Sequence, residues 1–102
     1  MVLLDLQIYP NDKGVNLSEY VARCLDVIDK SGVTYKMHPM GTILEGEWDQ
    51  VNAVVTNCFK ALEKDCDRIS INIRVDYRSG NNTRLKSKIE SVEKVVGKKL
   101  AT

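Results

Sequence analysis

Hydrophobic and polar positions alternate over residues 2–9, with Val2, Leu4, Leu6 and Ile8 on one side and Leu3, Asp5, Gln7 and Tyr9 on the other. A period of two predicts a strand with one face against a core. Residues 10–14, from a proline to a glycine, break the pattern. The spacing then becomes helical, through Leu17, Tyr20, Val21, Cys24, Leu25 and Ile28. Asn16 or Ser18 is the predicted N-cap, because either side chain can accept from the first free backbone N–H groups. Gly32 is placed to end that helix in the left-handed conformation. Residues 34–38 and 42–45 read as two short strands, close enough to pair as a hairpin across residues 39–41. A second helix over residues 49–64 turns Val51, Val54, Val55, Cys58, Phe59 and Leu62 inward. Residues 68–78 alternate most regularly, with Ile69, Ile71, Ile73, Val75 and Tyr77 against Ser70, Asn72, Arg74 and Asp76. A turn over residues 79–82 leads into a third helix, where Leu85, Ile89, Val92 and Val96 keep the helical period.

The order β-α-β-β-α-β plus a terminal helix predicts one ferredoxin-like α+β domain over residues 1–102. Right-handed crossovers would give a four-stranded antiparallel sheet with the first and third strands central. Both crossover helices then cover one face. The other collects Asp5, Gln7, Ser70, Asn72, Arg74 and Asp76, either as a solvated surface or as a polar pocket closed by another subunit or the third helix. Glu45 has two registers open to it. With Leu44 inward it joins the polar face; with Ile43 inward it lies under the helices, where an unpaired carboxylate is costly. Desolvation favours the first register, or an arginine partner in the second, so Glu45 should be paired or functional.

Composition narrows the chemistry. Hydrophobic residues at 43% and charged residues at 28% fit an ordinary globular chain. A net charge of +1 gives no field to recruit nucleic acid or a membrane surface. No apolar run approaches the roughly 18 residues of a spanning helix, and the first residues lack a basic segment and cleavage site, so the expected location is cytoplasmic. The three cysteines have no metal-type spacing. Cys24 and Cys58 fall on apolar helix faces, and Cys66, in a polar turn, is the one expected to meet solvent. The single histidine, His38, cannot build a histidine metal cluster and reads as structural or surface. Asp5 and Glu45 could act as paired carboxylates, but nothing fixes their separation. The polar row lacks the exposed aromatics of an RNA-binding sheet. Residues 9–14 match a phosphate-cradling acylphosphatase loop poorly. A basic last helix, with Arg84, Lys86, Lys88, Lys94, Lys98 and Lys99, reads as a solvated face suited to a negative C-terminal end. The expectation is no catalysis, no metal and no cofactor.

Several motifs in order carry a resemblance. Tyr35 is followed by Pro39, Met40, Gly41 and Thr42, then by Glu45, Gly46 and Glu47, then by a helix near Asp49. Pro10 follows the first strand, Ser18 to Val21 open the first helix, Arg78 closes the fourth strand, and Lys88 to Glu93 lie in the last helix. In this order and spacing, over nearly the whole chain, the sequence resembles the thiamine-binding protein family of small ferredoxin-like proteins. The resemblance implies a non-catalytic binder of thiamine or its aminopyrimidine moiety, acting as carrier, buffer or sensor and assembled as a homodimer or homotetramer. Asp5, Gln7, Thr42, Glu45 and Arg74 are the candidate ligand-binding residues. Carboxylate, amide and hydroxyl groups can satisfy an aminopyrimidine, and a carboxylate attracts a cationic thiazolium. Tyr9 and Trp48 are the aromatics available as a wall, although Trp48 reads first as a helix-start packing residue. Asn11, Asp12 and Lys13 make the turn after Pro10 bulkier and more charged than the resemblance leads one to expect. Two other classes remain: an oligomerisation domain without a dedicated ligand, and an enzyme using Glu45 as acid or base.

Overall fold

A computed structural model of the protein describes residues 1–80 and 83–102. The elements run β1 (Val2–Pro10), α1 (Ser18–Lys30), β2 (Thr34–His38), β3 (Gly41–Gly46), α2 (Trp48–Glu63), β4 (Ile69–Tyr77) and α3 (Ser87–Val96). Asn81 and Asn82, in the predicted turn after β4, lie outside the described residues. The strands form one antiparallel sheet in the order β2-β3-β1-β4, so β1 and β3 are central. This is the ferredoxin-like α+β arrangement.

Strand alternation sets the two faces. Leu4 pairs with Leu44 and Val75, and Leu6 with Thr42 and Ile73. Directly opposed residues share a face, so these form the helix-facing side. Val2, Leu4, Leu6 and Leu44 are buried there against Cys24 and Ile28 of α1 and Val51, Val54, Val55, Cys58 and Leu62 of α2. The helices lie over β1 and β3. Ile71 and Ile73 on the edge strand β4 therefore stay 38% and 45% exposed, although they point the same way as the core.

Several local expectations change. Leu17, which lacks a side-chain cap, is the boundary residue of α1. Asn16 stands one position further out, and its Oδ1 accepts from the Ser18 N–H at 3.3 Å. Gly32 has the expected positive φ of 79°. Cys66 is buried, because the chain after α2 turns back and the Cys66 N–H donates to the Leu62 carbonyl at 3.0 Å. That burial pushes the Cys66 thiol up, and Asp65 beside it adds to the effect. Cys24 and Cys58 are buried where α1 and α2 meet. The hydrogen bond with Cys24, followed by burial, raises the Cys58 thiol. Trp48 opens α2 with 56% of its surface exposed, contrary to the packing role expected of it. Helical Cα–Cβ bonds tilt toward the N-terminus, so a first helical residue points out past the core.

The third helix stands apart. None of its residues is buried. The radius of gyration is 15.0 Å, against about 13 Å for a compact domain of this length, consistent with α3 projecting from the body.

Candidate functional site

Unequal strand lengths create a recess at one end of the sheet. β1 has nine residues and β3 six, and their pairing stops at Leu6 opposite Thr42. From Gln7 to Pro10, β1 keeps β4 on one side but has no β3 partner on the other. Where further β3 residues would stand, the chain turns through Pro39 and Met40. The result is a notch of about 770 Å³ running over the end of the sheet. Leu6, Thr42, the boundary residue Leu17 and the α1 residues Val21 and Leu25 line it from the helix side. Gln7, Tyr9, His38 and Gly41 line it from the polar side, and Pro39 and Met40 close its rim.

Gly41 is fixed here by crowding. A Cβ on it would lie 2.7 Å from the Leu6 carbonyl oxygen and 3.1 Å from Gln7 Cγ. The bare backbone leaves a lane between β2 and β1, which the His38 ring crosses. Its Nε2 lies 3.5 Å from Asp5 Oδ1, and its Nδ1 accepts the Met40 N–H at 3.3 Å. The Gln7 side-chain amide donates to Asp5 Oδ2 at 3.3 Å. Asp5 Oδ1 is buried, with no hydrogen-bond partner among the described residues. Although His38 Nε2 is near enough to interact electrostatically, it does not satisfy that oxygen as a hydrogen-bond donor.

The predicted residues are thus divided. Gln7 and Thr42 meet at the notch, and Asp5 stands one step behind Gln7. Thr42 does not share the polar face with Asp5 and Glu45. It is buried on the helix side, because three positions separate it from Glu45 and an odd number reverses the face. Arg74 lies opposite Asp5 on β4, exposed and without an ion pair among the described residues. Glu45 lies four residues along from the Gln7 level, about 13 Å away at strand rise.

Glu45 takes the register that puts Leu44 in the core, and it sits opposite Leu3 on the polar face. It is only 5% exposed, and its Oε2 accepts the backbone N–H groups of Arg84 and, at 2.8 Å, Leu85. The buried Arg84 guanidinium donates to the Asp76 carboxylate, to the Asp76 carbonyl at 2.9 Å and to the Met1 carbonyl at 3.3 Å. Lys88 donates to the same carboxylate at 2.8 Å. Lys88 and then Arg84 hold the Asp76 carboxyl below the usual carboxylate range. This cluster ties the entry of α3 to the sheet and engages the Glu45 carboxylate in structure.

Among the described residues, no group of three or more His, Cys, Asp or Glu side chains is placed to hold a metal ion. None of the helices they form is long and apolar enough to cross a membrane.

The model of the family described as thiamine-binding protein matches residues 4–93. The chain belongs to the thiamine-binding protein family. Its matched span contains the whole notch and the Glu45–Arg84 cluster. Relatives include the UPF0045 protein sll0230 of Synechocystis, 36% identical over 93 residues, which cover 90% of this chain and 77% of that one. The UPF0045 protein YqgV of Bacillus subtilis is 34% identical over 100 residues, covering 92% and 96%. Among solved structures, protein MJ1052 of Methanocaldococcus jannaschii superposes with a TM-score of 0.83 at 25% identity, covering 89% of this chain and 94% of that one. A Thermotoga maritima protein, provisionally assigned to thiamine biosynthesis or salvage, gives 0.78 at 24% identity, covering 89% and 97%. At that identity the likeness establishes the shared fold.

Sequence reasoning passed over His38 and Gly41 as site residues. The available signal was the mismatch in strand length, which leaves the last four residues of β1 without a β3 partner beside a hairpin turn.

Proposed function

We propose that the protein is a non-catalytic binder of thiamine or its aminopyrimidine moiety, and that the notch at the end of β1 and β3 is its site. One observation carries this reading: in a chain of the thiamine-binding protein family, Gln7 and Thr42 line an apolar-walled recess, with the Asp5 carboxylate directly behind Gln7. Its volume of about 770 Å³ is within the range of small-molecule pockets. The exocyclic amine of a pyrimidine would supply the donor that Asp5 Oδ1 lacks, Gln7 and Thr42 would meet the ring nitrogens, and Tyr9 and Met40 would flank the flat rings. The Thermotoga maritima neighbour is consistent with this assignment.

Calorimetric titration with thiamine tests it. A saturable heat is expected, with affinity weakened at least tenfold in Asp5→Asn, as fits a charge-assisted hydrogen bond of about 1.5–3 kcal/mol. No heat at millimolar thiamine overturns the reading.

The exposed edge favours a second copy as partner. β4 is nine residues long with one open edge, and Ile71, Ile73 and Tyr77 are exposed on it. Long apolar edges are templates for pairing, and a two-fold dimer sets the same edge against itself. Light scattering should give twice the chain mass for the natural protein and a single chain for Ile73→Lys. A monomeric natural protein contradicts the pairing.

A further inference from the structure

The His38 ring lines the notch and touches both its turn and the Asp5 carboxylate that lies behind Gln7. Nδ1 accepts the Met40 N–H, so the neutral ring carries its proton on Nε2, the nitrogen facing Asp5. At 3.5 Å this contact leaves Asp5 Oδ1 without a hydrogen bond. Protonation changes both ends of the ring. A proton on Nδ1 sets donor against donor at Met40 and breaks the bond that shapes the turn, while the full positive charge draws Nε2–H onto Oδ1. Pro39 and Met40 wall the notch, so loss of the turn bond also disturbs its rim.

The other groups facing His38 and Asp5 can be placed by register. On the same face stand Tyr9 of β1, Lys36 of β2 and Arg74 of β4. Glu45 of β3 is engaged by the Arg84 and Leu85 N–H groups, and the nearer β3 residue, Ile43, is uncharged. The helices α1 and α2 lie on the opposite face. Lys36 and Arg74 are a lysine and an arginine, and His38 is the single imidazole of the chain.

We infer that His38 is a proton-operated competitor for Asp5, so that an amine-bearing cationic ligand enters the notch as His38 loses its proton. This rests on the thiamine reading of the notch. The imidazolium occupies the carboxylate oxygen the ligand amine requires, and it repels a cationic thiazolium. Both effects weaken binding in acid.

The test is thiamine titrated into the full chain and into His38→Gln between about pH 7.5 and pH 5.5. Competition by the imidazolium predicts about tenfold weaker binding at the acid end of that range, beyond any change in the variant. Titration of thiamine itself is common to both proteins and cancels in their ratio. Equal losses in the two proteins overturn the competition and leave thiamine binding intact. Absence of binding to either at any pH overturns the functional reading and the competition together. Calorimetry of the natural chain in buffers of different ionisation enthalpy gives a readout independent of the variant. Proton release should accompany thiamine binding within that range, and release of none contradicts the inference.

Discussion

Replacing Glu45 by alanine should lower stability by about 3 kcal/mol and the melting temperature by more than about 10 °C. The Glu45 carboxylate accepts two backbone N–H groups, from Arg84 and Leu85, in a place where Glu45 and Arg84 are almost fully buried. Its removal leaves those donors unmet, each at a cost of about 1–3 kcal/mol. It also loosens the residue that holds Asp76 and the Met1 carbonyl. Glu45→Gln keeps an acceptor oxygen and should lose roughly a third as much, by the smaller worth of a neutral hydrogen bond. Thermal unfolding of the two variants checks the order. Thiamine affinity should stay within about threefold of the natural chain in Glu45→Gln, less than 1 kcal/mol. A large loss of affinity with an unchanged melting temperature would instead put Glu45 in the binding site.

Gly41→Ala should weaken thiamine binding at least tenfold, with a stability loss of about 2 kcal/mol. The obstacle is a backbone atom, the Leu6 carbonyl oxygen, 2.7 Å from the new Cβ. It cannot swing away as a side chain can, so β3 must move relative to β1 at the last pair before the notch. The Gln7 side chain, whose Cγ and Nε2 would lie 3.1 and 3.2 Å from that Cβ, must also leave its place beside Asp5. Circular dichroism separates loss of the site from loss of the fold. Natural affinity in a folded Gly41→Ala protein would mean that the ligand sits elsewhere.

The sheet was legible because β1 buries a single face and β4 alternates in step with it over nine residues, which leaves one register consistent with burial of β1. Desolvation also placed Glu45 on the correct face. Its partners were not legible: the Arg84 and Leu85 N–H groups lie 39 and 40 residues away, and backbone donors carry no signature in side-chain identity. Thr42 was misplaced by grouping it with Glu45, although the three positions between them in β3 put the two on opposite faces. Cys66 was misjudged from its polar neighbours, since the turn that buries it depends on how α2 ends. The notch itself follows from β3 being shorter than β1, a relation between elements that no single motif contains. The place of His38 depends on Gly41, whose missing side chain opens the lane to Asp5.

Titration of thiamine into isotope-labelled protein, followed residue by residue by nuclear magnetic resonance, tests the location and the ligand together. The largest saturable shift changes should fall on Gln7, His38, Gly41 and Thr42, around the end of β1 that lacks a β3 partner. Changes centred on Arg84, Leu85 and Lys88, or none at millimolar thiamine, would contradict the notch as the site.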